Sequence, residues 1–111
     1  MAIAAASTLG RFAVSIVHDQ DHVTVVAIGD LDMTTVGAVE GEVRRLLDGG
    51  STEIVMDLRR VTFIDSRGLQ LLIVLRNAAI RAGGSLRLLP GSDSVQRLFS
   101  LTGTAGLFRW G

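Results

Sequence analysis

Hydrophobic positions along this chain recur with two different periods. Residues 12–17 (FAVSIV) and 23–29 (VTVVAIG) are short β-branched runs, and the polar HDQDH segment between them reads as the loop of a hairpin. From residue 33 to 48 the period lengthens. Val36, Val39, Val43, Leu46 and Leu47 fall at helical spacing, with Glu40, Glu42, Arg44 and Arg45 largely outside that stripe, which predicts a surface helix. The helix stops at Asp48-Gly49-Gly50-Ser51, where glycine suits the left-handed conformation that closes helices. A strand over 53–58 comes next, then a second helical pattern over 66–82. That pattern ends on the same device, Ala82-Gly83-Gly84-Ser85, before an apolar run at 86–89.

Helix, double glycine and strand thus occur twice, so the flanking strands lie parallel through right-handed crossovers while the hairpin makes the sheet mixed. Pro90-Gly91-Ser92 breaks the pattern, Ser92 or Asp93 caps a short third helix through Ser100, and 107–110 reads as an edge strand. The expectation is a small single-domain α/β fold. It has a mixed sheet of about four to five strands, an N-terminal hairpin, and helices packed mainly on one face. The first 11 residues, MAIAAASTLGR, are small and mildly apolar and read as a flexible arm ahead of a domain spanning 12–111.

The second helix has a very wide apolar face: Leu69, Leu71, Leu72, Ile73, Val74, Leu75, Ala78, Ala79 and Ile80. Residues Arg67, Gln70, Val74, Asn77 and Arg81 share one narrow strip by their spacings of three and four, which places Val74 among polar neighbours on the outward side. A bare valine there marks either a partner surface or an ordinary exposed apolar side chain.

Composition narrows the function classes. The chain has 111 residues, enough for one core, and 48% of them are hydrophobic against 20% charged, the make-up of a chain that folds. Acidic and basic side chains balance at 11 each with no basic stripe, which argues against direct binding of nucleic acid. Cysteine is absent, so neither disulfides nor thiolate metal sites are available, and a cytoplasmic setting is expected. No apolar run, LLIVL at 71–75 included, approaches the roughly 20 residues of a membrane span, and no membrane insertion is expected. Every basic side chain is arginine, so chemistry needing a primary amine is excluded.

The candidate chemistry sits where the strand reading IVMDL leads through RRVTFID into the second helix, at Asp65-Ser66-Arg67-Gly68-Leu69. A helix N-terminus offers unpaired N–H groups and the positive end of the macrodipole, so a phosphate on Ser66 has a favourable place to sit. The plainer reading is that Asp65 and Ser66 only cap the helix. Asp57, at a strand end, resembles the phospho-acceptor of receiver domains, but that chemistry relies on a lysine that this chain lacks. His18 and His22 flank Asp19 and Asp21 in what reads as a solvated turn, not a metal site. Gly29-Asp30-Leu31-Asp32 lacks the glycine spacing of a phosphate-cradling loop, and no base can be named for Ser66. No cofactor, metal or enzymatic activity is expected.

Taken in order, GDLD at 29–32, IVMDLRRVTFIDSRGLQLL at 54–72, GGSLRLL at 83–89 and RLFSLTG at 97–103 resemble the STAS domain family, and within it the anti-sigma factor antagonists. The resemblance implies a bacterial protein of the partner-switching kind that regulates transcription. It binds an anti-sigma factor, a serine kinase of histidine-kinase-like ATPase fold, and so frees a sigma factor. It also implies that the kinase phosphorylates the serine of the D-S pair, that the modified antagonist lets go, and that a serine phosphatase restores it. By position, Ser66 is the phospho-acceptor. Asp65 is its neighbour at the helix entrance, Asp30, Asp32 and Met33 belong to a flanking loop, and Gly68 permits close backbone approach. Arg67, Gln70, Val74 and Asn77 complete the expected partner surface. A monomer or weak dimer is expected. Solitary STAS domains also resemble subunits that brace the ATPase of ABC transporters and scaffold components of stress complexes, and fold analogy does not separate these roles.

Overall fold

The computed structural model describes residues 2–111, with side chains from Thr8 onward. Ten regular elements occur in order: β1 (Ala2–Leu9), β2 (Phe12–His18), β3 (Val23–Leu31), α1 (Val36–Asp48), β4 (Glu53–Asp57), β5 (Val61–Ile64), α2 (Ser66–Arg81), β6 (Ser85–Leu89), α3 (Asp93–Thr102) and β7 (Arg109–Trp110). A 3₁₀ turn at Ala105–Leu107 precedes the last strand. The sheet runs β1-β2-β3-β4-β6-β7, and β5 pairs with β3 off that path. β1 pairs antiparallel with β2 and β2 with β3, and every later pairing is parallel, so the sheet is mixed as the sequence implied.

Two strands exceed the expectation of four to five, and one overturns a reading. Residues 2–9 are not a loose arm: they pair antiparallel with β2 from Ala2 beside His18 to Leu9 beside Phe12, with a bulge between Ala5 and Ser7. Met1 lies outside the described residues. β5 was legible only as part of a loop, because its burial runs buried, exposed, exposed, buried and carries no two-residue alternation.

One face of the sheet carries the core. Ile16 lies beside Val25, Val25 beside Met56, and Met56 beside Leu88, one continuous row of buried side chains across four strands. Onto that face pack Val39 and Val43 of α1, Leu69, Leu72, Leu75 and Ala79 of α2, and Val95 and Phe99 of α3. Burying a side chain of this size contributes about 1.5–3 kcal/mol, so the helices are held by their stripes far more than by intrinsic propensity. Glu42 departs from the expected polar face: it is buried, and its carboxylate accepts from Arg45 Nη1 at 2.9 Å.

The double glycines have distinct tasks. Gly83 takes φ of 87°, the left-handed turn out of α2, whereas a Cβ on Gly84 would lie 1.9 Å from the Thr52 carbonyl oxygen. That contact brings the start of β6 against the start of β4 and sets their parallel register.

Candidate functional site

β3 and β5 run parallel with Asp30 beside Phe63 and Leu31 beside Ile64, so both strands leave the sheet at the same place. The Asp65 N–H donates to the Leu31 carbonyl at 3.3 Å, tying the two exits together. β3 runs on into the Asp32 turn, and β5 runs on into the first turn of α2. The expected loop and the expected helix entrance are therefore neighbours.

Asp65 is the helix cap. Its backbone is extended and Oδ1 accepts the N–H groups of Arg67 and Gly68, each at 2.9 Å. Ser66 is the first helical residue, exposed, and its hydroxyl stands outside these capping bonds. The two residues that sequence grouped as caps thus divide: Asp65 satisfies the backbone donors, and Ser66 is left available at the positive end of the helix.

Gly68 does not belong to a partner-facing surface. It is buried, and a Cβ there would lie 2.5 Å from the Leu31 carbonyl oxygen and 2.9 Å from Ile64 Cγ1. Its role is the close backbone approach, seating α2 against the end of β3. By contrast Arg67, Gln70, Val74, Asn77 and Arg81 are all exposed, the single strip that their spacing predicted. The Asn77 side chain accepts from Arg76 Nη1 at 3.0 Å.

The loop after β3 is stiffened by its own side chains. Asp32 Oδ1 accepts the Thr34 hydroxyl at 2.6 Å and the Thr34 N–H at 2.9 Å, and these two bonds, in that order, hold the Asp32 carboxyl below its ordinary value. The Thr35 hydroxyl donates to the Asp30 carbonyl at 2.7 Å and accepts from the Asp32 N–H at 3.0 Å. These bonds delay the helix, which begins at Val36 rather than at Met33 as its hydropathy suggested. Met33 is left 69% exposed, an apolar side chain displayed at the tip of the turn. Asp30 is exposed, and its carboxylate accepts the Thr62 hydroxyl at 2.6 Å.

Phe63 went unnoticed in the sequence. It is 53% exposed, three residues before Ser66, on the strand that leads into the site. A lone phenylalanine inside an apolar run looks like core, and only the break in β5 alternation distinguishes it.

The other candidates lie apart. Asp57 is buried at the end of β4, where burial pushes its carboxyl up and the Arg59 guanidinium, bound at 2.9 and 3.1 Å, together with the Arg59 N–H reverses this to a net lowering. That carboxylate is committed to an ion pair. His18 and His22 bracket a turn closed by the bond from the Asp19 N–H to the His22 carbonyl at 3.0 Å. They lie at the start of β3, a strand about 25 Å long at ~3.3 Å per residue, whereas the Ser66 site lies at its far end. Among the described residues no three His, Cys, Asp or Glu side chains converge as metal ligands, and no helix is long and apolar enough to cross a membrane.

The STAS domain model matches residues 13–110. The chain belongs to the STAS domain family. Among curated STAS relatives, an anti-sigma-B factor antagonist of Staphylococcus aureus (strain NCTC 8325 / PS 47) is 33% identical over 79 residues, 71% of this chain and 73% of that protein. The anti-sigma-B factor antagonist of Staphylococcus epidermidis is 31% identical over 93 residues, 84% of this chain and 85% of that protein. The fold is shared with an anti-sigma factor antagonist from Mycobacterium paratuberculosis, at a TM-score of 0.80 and 22% identity over 89% of this chain and 84% of that one. It is shared too with unphosphorylated SpoIIAA, an anti-sigma factor antagonist of Bacillus, at a TM-score of 0.75 and 22% identity over 89% and 88% of the two chains. β1 precedes the span matched by the STAS model and extends the sheet beyond it.

Proposed function

We propose that this STAS domain is an anti-sigma factor antagonist: it docks on a kinase-type anti-sigma factor through the surface around Ser66, and phosphorylation of Ser66 by that partner ends the association. The observation that carries the reading is the division of labour at the helix entrance. Asp65 takes the capping bonds, so the exposed Ser66 hydroxyl is free to be a substrate without unmaking the helix. The chain is regulatory in this reading, and Ser66 is modified by another protein's active site.

The electrostatics explain why a phosphate separates the partners. A phosphoserine carries about −1.5 to −2 charges at neutral pH, which the α2 N-terminus tolerates within the free domain. In a fitted interface the same charge is desolvated and stands near Asp30 and Asp32, of which Asp32 keeps its negative charge through its bonds to Thr34. A hundredfold loss of affinity needs only about 2.7 kcal/mol, within what one misplaced charge at an interface imposes. A serine phosphatase returns the chain to its binding form. The relatives named anti-sigma-B factor antagonists support the assignment of partner class.

Titration calorimetry of the anti-sigma factor against wild type and Ser66→Asp tests this reading. We expect the variant to bind about 100-fold more weakly; equal affinities contradict the switch.

A further inference from the structure

Next to Ser66, α1 and α2 enclose a shallow groove of about 190 Å³ lined by Val36, Glu40, Arg67, Gln70, Leu71 and Val74. Leu71 is buried, Val36 half-buried and Val74 36% exposed, and these three give the groove an apolar patch among the polar side chains of Glu40, Arg67 and Gln70. Its two walls carry opposite charges. Glu40 on α1 is engaged by Arg44 of its own helix at 3.1 Å. Arg67 on α2 is exposed, and among the described residues no carboxylate pairs with its guanidinium. Its backbone is nevertheless fixed, since the Arg67 N–H donates to Asp65 Oδ1 at 2.9 Å. An unpaired cationic side chain thus stands on a rigid turn one residue from Ser66, across the groove from Glu40, which Arg44 already engages.

We propose that the groove receives an apolar side chain of the anti-sigma factor with a carboxylate beside it, that Arg67 pairs with that carboxylate, and that phosphorylated Ser66 takes Arg67 for itself. The inference rests on Ser66 being the phospho-acceptor and adds the cation through which the modification is read. Guanidinium recognises carboxylate and phosphate with the same planar fork, and a phosphate of higher charge on the neighbouring residue outcompetes a carboxylate brought by another molecule. Successive helical positions differ by about 100°, an arc that the long arginine side chain spans. Phosphorylation therefore acts twice, by adding negative charge to the surface and by withdrawing the positive charge that the partner uses.

The test measures affinity of the anti-sigma factor for four forms of the full chain: wild type and Arg67→Gln, each with serine or phosphoserine at position 66. We expect Arg67→Gln to weaken the unmodified form about tenfold, and the phosphorylation penalty to fall from about 100-fold in wild type to about tenfold in the variant. Unchanged affinity of the variant, or equal penalties in the two backgrounds, overturns the role of Arg67 and leaves the Ser66 switch standing. Absence of any penalty in wild type overturns the switch itself. A second measurement needs no partner: a phosphorus NMR titration of the phosphoserine chain gives a lower second phosphate pKa with Arg67 than with Arg67→Gln, and coincident curves overturn the proposed contact.

Discussion

The carbonyl oxygen of Leu31 lies 2.5 Å from the place that a Cβ on Gly68 would occupy. The end of β3 and the first turn of α2 are thereby in backbone contact, and the Asp32 turn and Ser66 keep a fixed relation. Gly68→Ala must push a carbonyl and the Ile64 side chain aside, a form of overpacking that costs about 1–3 kcal/mol. Urea unfolding checks it: the midpoint falls while the slope stays at the wild-type value.

The cap gives a second prediction. Asp65→Ala removes the acceptor of two backbone N–H groups and costs about 0.5–2 kcal/mol. Asp65→Asn retains a side-chain oxygen at the same place and loses much less. Thermal unfolding of the two variants should rank them in that order, and equal losses would mean that the Asp65 oxygen does not carry the cap.

Most of the fold was legible because long periodic segments announce themselves. The stripe of α1, the wide face of α2 and the glycine pairs that end both helices fix two crossovers, and from those the parallel half of the sheet is obtained. β1 was hidden because AIAAASTL is mostly small residues with little strand preference, and its structure comes from pairing with β2. Ile80 counted toward the apolar face of α2 yet is 50% exposed at the helix end, where the core has run out. At the site, the motif located Ser66 but not the separate tasks of Asp65, Ser66 and Gly68. The first two divide through capping bonds whose geometry residue types alone do not report, and the task of Gly68 depends on Leu31, more than thirty residues away in sequence.

Asp57 sets an acid limit on stability. Its carboxyl is held below the ordinary value of 3.8, so the unfolded chain binds the proton more readily than the folded one. The Asp57–Arg59 pair therefore stabilises the fold above that value, and its contribution is lost as pH falls through the lower folded value. Asp57→Asn should be less stable than wild type at neutral pH, with the gap narrowing below about pH 4. A gap that stays constant from neutral to acid pH would show that ionised Asp57 does not stabilise the fold.

The C-terminal end is anchored by an aromatic trio. Phe99 is fully buried and meets Trp110 and Phe108 edge-to-face at 4.9 and 5.7 Å between centroids, while Trp110 Nε1 donates to the Ala105 carbonyl at 2.9 Å. Phe99→Ala should cost about 3–5 kcal/mol and shift the emission of Trp110, the single tryptophan, to longer wavelength. An unshifted spectrum in the folded variant would show that Trp110 does not depend on Phe99 for its burial.

The proposed switch runs through Ser66, modified by a bound kinase. Incubating the chain with ATP and its anti-sigma kinase, with site mapping of the incorporated phosphate, tests it most directly. One labelled residue, Ser66, and no labelling of Ser66→Ala are expected; phosphate incorporated into Ser66→Ala as into wild type overturns the switch.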